Sequence, residues 1–235
     1  MTDIRDFADP KLRSTIKKRS VAILPIGSLE QHGPHLPISV DSDIVTEVAK
    51  RVAKNCNFLL LPTIMYGVSF EHAPFFNLSI TSKILQNLVA SLAESLAKNK
   101  ISTLIILNGH HGNHKPLKDL ENKIQRTSKK KIKVHTFSYW HFMSREFDHA
   151  GFVETSLMLA ISNKANMKLA KRGFMPSRIS PEKREKISKL ASTHFIKATK
   201  TGVWGDPTKA TKRDGVRILA EIVQNVTKRV SKMAY

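Results

Sequence analysis

The chain has 235 residues, 41% of them hydrophobic and 25% charged, with 39 Lys and Arg against 19 Asp and Glu. That length can bury a full core without covalent staples, and a single cysteine, Cys56, excludes a disulfide framework or a cysteine-built metal cluster. The net charge of +20 points to an anionic partner (nucleic acid, a membrane surface or a phosphorylated substrate) without choosing among them.

No apolar run approaches the ~20 residues that span a bilayer. The first ten residues hold three aspartates and no apolar signal core. One thiol suits a reducing compartment. The expectation is a mature, cytoplasmic chain with no membrane partner.

The predicted elements alternate along the chain. Val21–Ile26 reads as a strand, and Ile44, Val45, Val48 and Val52 then fall at helical spacing. Residues 58–64 read as a second strand; prolines inside both runs weaken them, because proline donates nothing to a ladder. Ile84, Leu85, Leu88, Val89, Leu92 and Leu96 mark a helix, with Thr81 or Ser82 as its N-cap. Thr103–Leu107 is a third strand, Leu117, Leu120 and Ile124 a helix after Pro116, and residues 132–137 a fourth strand. Val153, Leu157 and Ile161 mark another helix. The Lys-rich stretch 172–200 is the least regular, with a helix around Ile187, Leu190 and Ala191. Leu219, Ile222, Val223, Val226 and Val230 mark the last helix. This alternation predicts an α/β fold, a mostly parallel sheet flanked by helices, in a single layered domain over residues 1–235.

In such folds ligands bind outside the carboxyl ends of the strands. The loops there are rich in His and carboxylates. Gly27-Ser-Leu-Glu-Gln-His-Gly-Pro-His-Leu-Pro37 follows the first strand, with Asp41 beyond it. Asn108-Gly-His-His-Gly-Asn113 follows the third, and Asp148-His-Ala-Gly-Phe-Val-Glu154 lies beyond the fourth. Glu30, His32, Asp41, His110, His149 and Glu154 are thus delivered towards one rim. Mixed imidazole and carboxylate ligands suit Zn²⁺, Mn²⁺ or Fe²⁺, and two such ions activate water and polarise a carbonyl. Each residue also has an ordinary reading. Asp41, Asp43 or Glu154 could serve only as helix caps, and Gly109 and Gly112 only as turn residues. Convergence at successive strand ends favours the chemical reading.

These three motifs, together with Gly205-Asp-Pro-Thr-Lys-Ala210, resemble the creatininase (creatinine amidohydrolase) family in order and across most of the chain. The resemblance implies a layered α/β fold with a dinuclear metal centre. One ion, by motif position, would be held by Glu30, Asp41 and His110, and the other by His32, Asp41 and Glu154, with Asp41 bridging. Two divalent ions are implied, Zn with Mn or Fe as the second. His149 matches the family's catalytic histidine. The implied reaction is hydrolysis of a non-peptide C–N bond in an amide, a formamide or a cyclic amide. The implied partners are a small amide, anionic in some branches, and further copies of the chain, up to a hexamer.

The chain also departs from creatininase itself. Gly112 stands where creatininase has a glutamate, and Arg145 and Glu146 stand where it has a Trp-Asp pair. His111 replaces a glycine found in many relatives, and Asn77 a glycine of the substrate loop. His72, His111, Arg145 and Glu146 are the substrate-binding candidates. One family branch deformylates a formylamino-pyrimidine nucleotide of riboflavin and deazaflavin synthesis. Another acts on a peptide in redox-cofactor maturation. A phosphorylated substrate would suit Arg145 or Lys115.

The competing class is a basic nucleic-acid-binding protein without catalysis. It rests on the charge and on the clusters at residues 17–19, 129–131 and 178–189. Zinc-finger spacing, an RNA-recognition aromatic signature and a helix-turn-helix pattern are all missing, and the basic residues are scattered over predicted polar faces, so this class is disfavoured.

Overall fold

The computed structural model describes residues 2–127 and 132–233. The lysine cluster 129–131 therefore lies outside the described residues. In chain order the main elements are α1 (Asp9–Ile16), β1 (Val21–Ile26), α2 (Val40–Cys56), β2 (Leu59–Leu60), α3 (Ser82–Lys98), β3 (Thr103–Asn108), α4 (His114–Thr127), β4 (Lys133–Ser138), α5 (Phe152–Ile161), α6 (Pro181–Ala191), α7 (Phe195–Thr199) and α8 (Lys212–Val230). The four strands form one all-parallel sheet in the order β2-β1-β3-β4. No helix among the described residues is long and apolar enough to cross a membrane.

The strands alternate their side chains between two apolar layers. Val21, Ile23, Ile105 and Leu107 face one layer, built with α2, α5 and α8. Ala22, Leu24, Ile26, Leu104 and Ile106 face the other, built with α3 and α4. Covering on both faces explains why β1 and β3 read as continuous apolar runs.

The second strand is shorter than its sequence predicts. Leu59 and Leu60 pair with Ala22 and Ile23, and Leu61 N–H still reaches the Ile23 carbonyl at 2.9 Å. Pro62 then interrupts, and contact resumes one residue out of step, with Ile64 N–H donating to the Pro25 carbonyl at 3.0 Å. Pro25 is tolerated inside β1 for a related reason. A residue's N–H and C=O point to the same side of a strand, so its missing donor faces this broken edge and spares the β1–β3 ladder.

The helices form where periodicity placed them. Thr81 caps α3, its hydroxyl accepting from Ile84 N–H at 3.2 Å. Thr81→Ala is expected to cost about 1 kcal/mol, read as a lower denaturation midpoint at unchanged m. Asn57, at φ 58°, takes the left-handed conformation that closes α2. The Lys-rich stretch yields α6 and α7. The short α1 falls where no helix was predicted.

The strand order reverses between β1 and β3, since β2 lies to one side of β1 and β3 to the other. The crevice above this switch point is where an open parallel sheet binds ligands. The loops after β1 and β3 are the two His-rich motifs.

Candidate metal centre

Glu30 and His32 leave β1 on an extended segment, bridged through Glu30 to Asn77 of the 73–80 loop. Asp41 is the second residue of α2. His110 follows β3, its N–H accepted by Asn108 Oδ1 at 3.1 Å. Glu154 sits in the first turn of α5, where Ala150 N–H donates to Oε2 at 2.6 Å. Asp148 caps the same turn, accepting from Val153 N–H at 2.8 Å. Asn113 ties the motifs together, accepting from Val68 N–H and donating to the Gly27 carbonyl, each at 2.9 Å.

The five side chains meet in the protein's interior, none more than 3% exposed. His32 Nε2 lies 3.2 Å from Asp41 Oδ1 and 3.5 Å from Glu154 Oε2. His110 Nδ1 lies 3.2 Å from Glu30 Oε1 and 3.1 Å from Asp41 Oδ2. The two oxygens of Asp41 therefore face two separate donor sets, Glu30–Asp41–His110 and His32–Asp41–Glu154, each compact enough to hold a metal ion. Glu30, His32 and His149 form a third such group.

Main-chain carbonyls orient both imidazoles. His32 Nδ1 donates to the Glu30 carbonyl at 3.1 Å, and His110 Nε2 donates to the Val68 carbonyl at 2.9 Å. Each ring thus turns its other nitrogen towards the carboxylates, the usual arrangement behind a metal-ligating His. Both Glu30 oxygens, His32 Nε2, Asp41 Oδ2 and Glu154 Oε1 are buried without a hydrogen-bond partner. Buried polar atoms are nearly always satisfied, so five orphans on one constellation fit a cation-binding donor set.

The electrostatics agree. Burial would lower His32, yet Asp41 and Glu154 beside it hold it up at about 10. Burial opposes charge on His110 too, but Glu30 and Asp41 hold it well above the ordinary range. Burial pushes Glu154 up to about 8, partly offset by His32. Burial would also raise Glu30, but His110 and His72 keep it well below the usual carboxylate range. The cluster demands positive charge at the two nitrogen atoms that face it.

A cavity of about 180 Å³ opens onto this centre. Its lining includes Glu30, Asp41, His110, His72, His111 and His149 from the sequence reading. His72 is buried, with Nε2 3.0 Å from Glu30 Oε1. Burial, with His32 and His72 nearby, pushes His149 well below the ordinary range and keeps it neutral. His111 lies at the rim near Trp140, its ring centroid 6.1 Å away. Arg145 and Glu146 are not brought to the cavity: Arg145 lies over the Phe152 ring and Glu146 pairs with Arg184.

Sequence reasoning missed the far wall. Ser188, Ala191, Ser192 and Phe195 of the Lys-rich segment line the cavity, as do Phe147, Trp204 and Glu71. The Phe195 ring lies 4.7 Å from both His72 and His149. Nothing in composition separates this wall from a solvated helix; only the apolar side of α6 hints at it. Gly112 proved more than a turn residue. A Cβ there would meet the Val68 carbonyl at 2.1 Å, His110 Nε2 at 2.6 Å and Glu71 Oε1 at 3.0 Å, so no side chain fits while this packing holds.

A stability consequence arises from His35, which is buried and reaches Thr155 Oγ1 with Nε2 at 2.9 Å. Burial pushes it down to about 4. It stays neutral when folded, while the unfolded chain takes up a proton near pH 6.5. Stability from this group is therefore intact above pH 6.5 and falls as pH drops towards 4. Metal-free His35→Gln should lose about 2 kcal/mol less than the parent between pH 7 and 4.5, read by urea denaturation.

A hydrolytic α/β architecture with a buried His–carboxylate centre is the class this site defines. Residues 5–230 match the family model described as creatininase, creatinine amidohydrolase, and the chain belongs to that family of C–N hydrolases. It is 30% identical over 226 residues to the mycofactocin precursor peptide peptidase of Mycobacterium ulcerans, covering 89% of this chain and 84% of the relative. It is 30% identical over 167 residues to creatinine amidohydrolase of Pseudomonas putida, covering 60% of this chain and 64% of that one. A Methanothermus fervidus formylamino-pyrimidine nucleotide deformylase is 30% identical over 142 residues, 60% of this chain and 56% of the relative. A creatininase crystal structure shares the fold at TM-score 0.82 and 22% identity, covering 99% of this chain and 98% of the other.

Proposed function

We propose that the chain is a dinuclear-metal amidohydrolase, the described chain acting as one catalytic unit. Glu30, Asp41 and His110 would hold one ion, and His32, Asp41 and Glu154 the other. The observation that carries this reading is Asp41, whose two oxygens face the two donor sets. Zinc with manganese or iron as the second ion suits these ligands. One creatininase with this fold is described as a Zn–Zn type, another as a Mn form. When bound, such ions polarise an amide carbonyl and activate water. His149 would carry a proton towards the leaving nitrogen, and Phe195 and Trp204 would exclude solvent.

The substrate read from the cavity is a small amide, formamide or cyclic amide without a phosphate. Among the described residues no Lys or Arg lines it. Arg145 and Lys115 lie outside that lining, which weighs against the nucleotide deformylase reading. The relatives aligned over most of the chain are named for a peptide, and this favours the end of a short peptide as the second reading. Assembly into a homo-oligomer is supported by the exposed apolar side chains Met65, Tyr66, Phe70, Phe76, Leu78 and Ile84.

The test is metal content with activity. Protein purified without chelator and incubated with Zn²⁺ or Mn²⁺ should carry two ions per chain by elemental analysis. Chelator should abolish hydrolysis in a screen of formamides, lactams, cyclic ureas and short peptides. Absence of bound metal would overturn the reading.

A further inference from the structure

Gln31 lies between two proposed ligands, Glu30 and His32, in sequence. Its side chain is 8% exposed. Gly33 N–H donates to its Oε1 at 2.9 Å. A main-chain N–H can only donate, so this bond fixes which end of the amide is oxygen. The other end, Nε2, lies 2.9 Å from His72 Nδ1 and 3.0 Å from His149 Nε2. An amide nitrogen carries two hydrogens and can only donate. A glycine leaves room for it. A Cβ on Gly202, at φ 74°, would fall 1.9 Å from Oε1.

The consequence for His72 is definite. Its Nδ1 must accept, so the proton of the neutral ring sits on Nε2. That nitrogen lies 3.0 Å from Glu30 Oε1. His72 thereby turns its hydrogen-bearing nitrogen towards a proposed metal ligand. The consequence for His149 concerns orientation. Its Nε2 is engaged by Gln31 twice, by the side-chain amide and by the main-chain carbonyl at 3.1 Å. One partner donates and the other accepts, so Nε2 is held whether or not it bears hydrogen. Nδ1 is the ring nitrogen left for a reacting group. The His149 main chain is fixed as well, paired with Trp204 at 3.1 and 2.8 Å.

We infer that Gln31 is the positioning residue of the site: its amide fixes the hydrogen of His72 on Nε2, the nitrogen that faces Glu30, and turns His149 to meet the substrate through Nδ1. This rests on the hydrolase reading only for its effect on rate; the tautomer assignment stands on geometry.

The test uses full-length, Zn²⁺-loaded protein labelled with ¹⁵N in histidine, read by long-range proton–nitrogen correlation. The wild-type spectrum should show His72 neutral with hydrogen on Nε2 and none on Nδ1. Gln31→Met keeps the side-chain length and removes both donors. It should mix the His72 tautomers and shift the His149 nitrogens, with metal content unchanged and kcat lower by ~10–100-fold. Gln31→Glu replaces the donor by an acceptor and should move hydrogen to His72 Nδ1. A wild-type His72 protonated on Nδ1 would overturn the assignment, as would identical ring spectra in Gln31→Met. The wild-type spectrum decides the tautomer even if a variant misfolds. Changed spectra with unchanged kcat would leave Gln31's assignment standing and overturn the proton-carrying role of His149. Loss of the metal reading would show separately, as no zinc in the elemental analysis.

Discussion

Asp41→Ala is expected to remove both ions and to lower kcat/KM by at least ~10³-fold, about 4 kcal/mol of transition-state stabilisation. The size of the effect follows from position. Asp41 Oδ1 faces His32 and Oδ2 faces His110, so one side chain contributes to both donor sets. Every other proposed ligand serves one. The carboxylate is 2% exposed, and Oδ2 has no hydrogen-bond partner. Asp41→Asn keeps the volume and one oxygen, and should retain a single weakly held ion. Asp43→Ala is the control. Asp43 is two residues along α2 but pairs with Lys164 at 2.8 Å and accepts from Ser39 at 2.9 Å, away from the centre. It should keep two ions and most of the activity. Elemental analysis of the three variants decides the matter, with circular dichroism confirming the fold. Full metal content in Asp41→Ala would remove the bridging assignment.

Gly215→Ala is expected to be strongly destabilising for a single added methyl. Gly215 lies in the first turns of α8, against α5. A Cβ there would stand 1.8 Å from the Ser156 carbonyl oxygen and 2.9 Å from Ala160 Cβ. These are backbone and Cβ atoms, so no flexible side chain can move aside. The helices must separate, which in packed cores costs roughly 1–3 kcal/mol or more. Alanine's better helix propensity returns at most ~1 kcal/mol. The net cost should lower Tm by several degrees, at about 2–4 °C per kcal/mol for a chain of this size. The damage should reach the site, because α5 carries Glu154 and its first turn is held by Asp148. Metal affinity should fall together with Tm in Gly215→Ala. A variant with unchanged Tm would show that α8 and α5 are not locked at this contact.

The charge of +20 takes a different place once the cavity is described. The centre and its walls hold Glu30, Asp41, Glu71, Asp148 and Glu154, and among the described residues no Lys or Arg lines the cavity. The lysines of α6 lie on the helix whose opposite side closes the pocket. Net charge, the most conspicuous number in the composition, says little about the chemistry, since it sums over surfaces that never meet the substrate.

Much of the fold was legible in one dimension. Buried β1 and β3 are apolar on both faces, and α2, α3 and α8 carry apolar residues at helical spacing, so local pattern and burial coincide. The five residues of the candidate centre could be picked out as well, because each sits in a short motif at a strand end or helix start. Residues 58–64 misled because hydrophobicity cannot report that Pro62 shifts the pairing register. Arg145 and Glu146 misled because position relative to a motif does not say which way a loop turns.

The sequence by itself determined the strands, the helical faces, the strand-end motifs and, through them, the family. These depend on neighbours within a few residues, where spacing and side-chain chemistry suffice. Only the tertiary structure decided that Asp41 faces two donor sets, that Gln31 joins His72 to His149, and that Phe195 covers them from the Lys-rich segment. These contacts join positions 41, 110 and 154, or 31, 72 and 149. Their distances are set by how helices pack on the sheet, and no local pattern encodes that.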